Sequence, residues 1–205
     1  MDRRWLYAGL LAAAGVGIAR VLKKPKLVPG ESRILLVGDS LAVGLSTPLK
    51  ALATDQRIGF NAVAQVGTRI DQWGGKGTPQ SAQLDAALDA TQPTLVLVSL
   101  GTNDEYITMG NPPERQAPYL KALIEKIERY VHKGDYGLGA ELIWIGPPTL
   151  PKKGTNGIRA LLAATIPQAR FFDSQRLSIP RAPDNLHSTP KGYAGWAGAL
   201  WQWLS

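Results

Sequence analysis

The 205-residue sequence predicts an α/β protein: a three-layer α/β/α sandwich with a five-stranded, mostly parallel sheet, preceded by an N-terminal apolar helix. Two observations predict it. Short apolar runs alternate with helical segments along the chain, the pattern of crossovers between parallel strands. The runs are also apolar at successive positions, as strands buried on both faces are.

Taken in order, Arg33–Val37 is the first strand and stops at Gly38. Ser40–Ala53 has helical character, and Ile58–Ala64 is a second, weaker strand closed by Gln65-Val66-Gly67. Ser81–Ala90 carries Leu84 and Leu88 four apart and reads as a helix. Thr94–Leu100 is the clearest strand, ended by Gly101-Thr102-Asn103-Asp104. Glu114–Val131 puts Leu120, Leu123, Ile124, Ile127 and Val131 on one helical stripe. Glu141–Ile145 is the fourth strand, stopped by Gly146-Pro147-Pro148. A short helix at Ile158–Thr165 and a last strand at Arg170–Asp173 follow. Pro190–Leu204 closes the chain as a helix with proline at its start, where a missing N–H is tolerated. Trp196, Leu200 and Trp203 share its core face, and Trp201 lies off that stripe, half-buried or turned to a membrane or partner.

Organisation follows from composition. Residues 1–22 form an N-terminal segment, residues 23–31 a basic Pro/Gly linker, and residues 32–205 one globular domain. Trp5–Ala19 runs fifteen residues without a charge. That is short against the roughly 20 apolar residues of a membrane span, although Arg20 can snorkel and extend it to Leu22. A retained anchor over residues 5–22 is the favoured reading. A cleaved signal ending near Gly17-Ile18-Ala19 and a soluble packing helix are the others. Gly9, Ala13 and Gly17 repeat at four-residue spacing, which allows self-association of such helices.

The formal charge is +7, but residues 1–26 hold six basic side chains and Asp2, a net of +5. The domain is therefore nearly neutral, and the basic excess flanks an apolar segment. That pattern suits attraction to a membrane surface and argues against a nucleic-acid partner. With no cysteine there is no disulfide, thiol nucleophile or Cys-based zinc site. No metal-ligand cluster or cofactor motif is evident. Trp73-Gly74-Gly75-Lys76-Gly77-Thr78 lacks the spacing of a phosphate loop and reads as a pocket wall or a mobile surface loop.

Two short motifs carry chemistry. Gly38-Asp39-Ser40 follows the first strand directly, and Asp184-Asn185-Leu186-His187 lies near the C-terminus. Serine is inert at its free pKa and needs a base, which histidine supplies when a carboxylate fixes its tautomer. The sequence has only two histidines, and His132 sits at the end of the long helix, where it suits the helix dipole. Ser40, Gly67 and Asn103 each fall just past a strand's carboxyl end, where ligands bind in open α/β sheets. Each piece has a plainer reading: Ser40 as a helix N-cap, Gly67 and Asn103-Asp104 as turns, Asp184-Asn185 as a surface turn.

Together these pieces resemble the SGNH (GDSL-type) hydrolase family. Gly38-Asp39-Ser40-Leu41, Gly67, Gly101-Thr102-Asn103-Asp104 and Asp184-x-x-His187 match its four blocks in order, across nearly the whole domain. The resemblance implies a flavodoxin-like sandwich, no metal or cofactor, and ester hydrolysis through a covalent acyl-enzyme. It makes Ser40 the nucleophile, His187 the base and Asp184 its orienting acid. The oxyanion hole would be the N–H groups of Ser40 and Gly67 with the Asn103 amide. The expected substrate is a small acyl ester, acetyl on a carbohydrate or cell-envelope polymer, met by a protein anchored in the membrane and facing the envelope or exterior, or secreted if the segment is cleaved. A lysophospholipase or thioesterase of the same family is the alternative, as is a catalytically silent binding or structural subunit. A flavodoxin-like FMN binder fits less well, because it leaves Asp184 and His187 unexplained. The sequence holds no long lid, which disfavours a capped, interfacially activated lipase.

Overall fold

The computed structural model describes residues 24–107, 112–130, 140–149 and 157–205. The readings on residues 1–22 and on Val131 and His132 lie outside these.

Five strands form one sheet in the order β2-β1-β3-β4-β5. They are β1 (Arg33–Gly38), β2 (Gly59–Ala64), β3 (Leu95–Ser99), β4 (Glu141–Ile145) and β5 (Phe171–Phe172), and every described pairing is parallel. The helices are α1 (Ser40–Asp55), α2 (Ile70–Gly74), α3 (Pro79–Thr91), α4 (Thr102–Ile107), α5 (Ala117–Glu128), α6 (Ile158–Thr165) and α7 (Pro190–Leu204).

Strand side chains alternate between two cores, which makes the three layers. Ile34 and Leu36 of β1 pack with Leu41, Leu45 and Leu49 of α1 and with Trp196 and Leu200 of α7. Leu35 and Val37 point the other way, into Leu84 of α3, Leu123 and Ile127 of α5 and Leu162 of α6. Each such side chain contributes roughly 1.5–3 kcal/mol by leaving water. The expected sandwich is thus present, with a wholly parallel sheet among the described strands.

Several boundaries differ from expectation, each for a local reason. The last strand is two residues long: Arg170 ends a 3₁₀ turn, and Asp173 caps the next turn by accepting from the Gln175 N–H at 3.2 Å. The long helix begins at Ala117, because Pro113–Gln116 winds as a 3₁₀ turn. Helices α2 and α4 were not expected; at five and six residues they are too short to show a helical period. Trp73 lies in α2 and is fully buried, so Trp73–Gly74 belongs to the scaffold and is not a mobile loop. On α7, Trp201 is 5 % exposed and belongs to the core, correcting the half-buried or membrane-facing reading. Trp203 is the half-buried one, edge-on to Phe172 with Lys24 Nζ 4.4 Å from its ring centre. No helix among the described residues is long and apolar enough to cross a membrane.

The order places β1 between β2 and β3. The chain leaves β1 into α1, β2 into the loop holding Gly67 and β3 into α4, so these exits share one edge of the sheet.

Candidate active site

Ser40 is the first residue of α1, yet it is not the cap. Asp39 takes that role: its side chain accepts from the Leu41 N–H at 2.9 Å. Its own N–H is held by the Ser99 carbonyl at 3.1 Å, which ties the turn to β3. The sharp approach requires glycine at position 38, because a Cβ there would run into the Ser99 carbonyl. The Ser40 hydroxyl is thereby left for another partner.

That partner is His187, whose Nε2 lies 3.0 Å from Ser40 Oγ. Its Nδ1 lies 2.6 Å from Asp184 Oδ2. A carboxylate at Nδ1 keeps the ring hydrogen there and leaves Nε2 to accept from the hydroxyl. Asp184 also accepts from the Leu186 and His187 N–H groups on Oδ1, at 3.0 and 2.9 Å. The His187 bond foremost, and these two N–H groups with it, lower the Asp184 pKa to about 2. So the acid, open to water and held by these donors, stays ionised. Sequence separations of 147 and 3 residues collapse into one hydrogen-bonded chain.

Asn103, the second residue of α4, donates from Nδ2 to the Thr68 carbonyl at 2.9 Å and to Asp39 Oδ2 at 3.3 Å. It therefore bridges the residue before Ser40 and the residue after Gly67. Gly67 itself is exposed in the loop after β2, with φ +77°. Thr68 anchors that loop: its hydroxyl donates to the Gln65 carbonyl at 2.8 Å and accepts from Trp73 Nε1 at 2.9 Å. Among the expected residues, Ser40, His187 and Asp184 are directly linked. Asn103 joins them through Asp39, and Gly67 through its neighbour Thr68.

The supporting residues Asp39, Asp104, Thr68 and Trp73 have no site role in the sequence reading, which takes Asp104 as a turn residue and Trp73 as part of a pocket wall or loop. Asp39 and Asp104 stand inside the Gly38-Asp39-Ser40 and Gly101-Thr102-Asn103-Asp104 motifs, a signal that was available; Thr68 carries none. Asp104 is fully buried and accepts from the Ile70 N–H, which secures the start of α2. Burial raises the pKa values of both Asp39 and Asp104 to about 7.

A hydroxyl held by an imidazole that a carboxylate orients, beyond the carboxyl ends of a parallel sheet, is equipped for acyl transfer. The fold is that of the SGNH hydrolases. Residues 36–194 match the model of the GDSL-like lipase/acylhydrolase family, and the chain belongs to that family, whose members are carboxylic ester hydrolases.

Solved structures agree on the fold. The psychrotrophic esterase EstA of Pseudoalteromonas sp. superposes with a TM-score of 0.62 at 18% identity, over 84% of this chain and 96% of that one. The aryl esterase of M. smegmatis gives 0.60 at 19% identity, over 83% and 97%. Est24, a carbohydrate acetylesterase of Sinorhizobium meliloti, gives 0.61 at 18% identity, over 83% and 96%. No curated protein matches the sequence.

Proposed function

We propose that this protein cleaves an acyl ester through a covalent intermediate on Ser40. The observation that carries the reading is the unbroken chain Ser40–His187–Asp184, at 3.0 and 2.6 Å. His187 takes the Ser40 proton as Oγ attacks the carbonyl carbon, and Asp184 faces the imidazolium that forms. The oxyanion is held by the N–H groups of Ser40 and Gly67 and by the Asn103 amide. Of the two contacts that Asn103 makes, the longer one, to Asp39, is the one to yield to an oxyanion. The tetrahedral species collapses, His187 protonates the leaving alcohol, and water then releases the acid by the same steps.

The substrate we propose is a small acyl group, acetyl, on a carbohydrate or cell-envelope polymer. Likeness to the carbohydrate acetylesterase Est24 supports this choice. With it goes attachment to a membrane through residues 5–22, the domain facing the envelope or exterior; the basic residues flanking that segment support it. One observation favours the longer-chain alternative, a lysophospholipase or thioesterase. Val43, one turn beyond Ser40, is 43 % exposed, and Val66, next to Gly67, is 69 % exposed.

The test is a panel of p-nitrophenyl esters from C2 to C12, run on wild type beside Ser40→Ala, with a fluorophosphonate probe. Turnover and labelling of wild type, both abolished in Ser40→Ala, are expected. Activity that survives in the variant defeats the nucleophile assignment, and a preference for C8 or longer defeats the acetyl reading. A wild type that neither turns over nor labels leaves the silent-subunit reading.

A further inference from the structure

The base loop is an exposed segment, and something must hold it against the sheet edge. Asp184 and His187 have half-exposed and partly exposed side chains, and Asn185 between them occupies the left-handed region with φ 59°. Such a loop is a poor platform for geometry that must hold to a fraction of an ångström. One side chain spans it. Arg181 donates from Nη1 to the carbonyl of Leu186, the residue before His187, at 2.7 Å. From Nη2 it donates to the carbonyl of Thr149, beyond the end of β4, at 2.9 Å. Its backbone pairs with Ser188 in an isolated antiparallel bridge, and the Ala182 N–H donates to the His187 carbonyl at 2.9 Å. Residues 181–188 are therefore a closed loop, and its attachment to the β4 edge includes a single guanidinium.

We infer that Arg181 is a positioning residue for His187, a clamp fixing the base loop to the segment after β4. This rests on the reading of Ser40, His187 and Asp184 given above. The planar fork of arginine suits the task, because two of its donors meet carbonyls on two different segments at once. An ammonium group carries its donors on one atom, so it holds both segments only where the two carbonyls converge on that atom. The clamp works on the imidazole's position and not on substrate, so its loss lowers kcat and leaves KM where it was.

The experiment compares wild type, Arg181→Ala and Arg181→Lys by p-nitrophenyl acetate turnover, by the rate of fluorophosphonate labelling of Ser40, and by thermal midpoint. In Arg181→Ala, kcat and labelling rate should fall together by about 10- to 100-fold, with KM unchanged. Low-millimolar guanidinium chloride should restore part of the loss, and matched sodium chloride none. Arg181→Lys should lie between the two and keep the wild-type midpoint, which covers the case of an alanine variant that folds poorly. Wild-type labelling rates in Arg181→Ala, a rise in KM in place of a fall in kcat, or a loss that guanidinium does not mend would overturn the clamp alone. An unlabelled wild type would sink the nucleophile reading instead.

Discussion

Asp39 precedes Ser40 in the chain and Asp184 reaches it through His187, and their surroundings drive the two acids to opposite states. Asp39 is 1 % exposed, and burial lifts its pKa to about 7. Asp184 lies at the surface, and the donors around it hold its pKa near 2. Both carboxyls have donors; the exposed one stays charged with their help, whereas at the buried one desolvation outweighs them. Asp184 is thus the acid suited to face an imidazolium, and Asp39 the one suited to build the turn. Identical side chains near one hydroxyl take different work, one from burial and the other from the donors around it.

The sharpest way to break this contrast is Asp184→Asn. The amide keeps the shape and loses the charge and the tautomer control, so kcat should fall by about 10³- to 10⁴-fold. Because the site is exposed, the thermal midpoint should hardly move. A variant within tenfold of wild type would mean that the His187 ring needs no acid. Asn103→Ala comes next. Losing one oxyanion donor costs roughly 10²–10³ in kcat, and the Thr68 carbonyl loses its amide donor as well. Steady-state kinetics with KM unchanged would support the donor role; an effect on KM alone would refute it.

These residues also mark how far the sequence could be read. Ser40, Gly67, Asn103, Asp184 and His187 stand at strand ends or in a short acid–base spacing, and such positions follow from strand periodicity and motif order. The buried runs Ile34–Gly38 of β1 and Leu95–Ser99 of β3 were legible for the same reason. What was illegible was local or long-range. Helices α2 and α4 are shorter than two helical turns, and β5, expected over Arg170–Asp173, is cut to the two residues that pair with β4, Phe171 with Trp144 and Phe172 with Ile145. Arg181 gave no signal, since its partners Leu186 and Thr149 are backbone carbonyls, which no side-chain pattern encodes. The raised pKa values of Asp39 and Asp104 come from burial, a property of the assembled core.

The buried half of the comparison has its own signature. Asp39 and Asp104 titrate near 7 when folded and near 3.8 in an unfolded chain. Between those values the folded protein holds protons that the unfolded chain has released. The stability they contribute is therefore complete below about pH 4 and is lost as pH rises towards 7. The loss should be on the order of 4 kcal/mol for each of the two carboxyls across that window. Asp184 acts in the opposite sense and lower down: its contribution is lost as pH falls towards about 2. Asp39→Asn should flatten part of the slope between pH 4 and 7 while Asp104 keeps the rest. The variant also sets two amide donors against each other at Asn103, so activity should fall even where stability gains. Thermal midpoints of wild type and variant from pH 4 to 8 test this, and parallel curves would show that Asp39 does not titrate in the window.

The smallest expected effect separates two glycines that the sequence alone makes look alike. Gly38 ends β1 and Gly67 lies in the loop after β2, its neighbour in the sheet. At Gly38 a Cβ would strike the Ser99 carbonyl and the Ala42 side chain, so alanine there must displace the turn that carries Ser40. At Gly67 nothing lies within 4 Å of an added Cβ, and the demand is conformational, with φ at +77°. Gly67→Ala should therefore cost only about 1–2 kcal/mol, the penalty of the left-handed region for a residue with a Cβ. A modest drop in thermal midpoint with an intact fold is the outcome to look for. Activity gives the finer reading. If the Gly67 N–H serves the oxyanion, the variant loses kcat when relaxation of φ turns that N–H away. If the glycine is merely a turn, kcat stays level while stability falls.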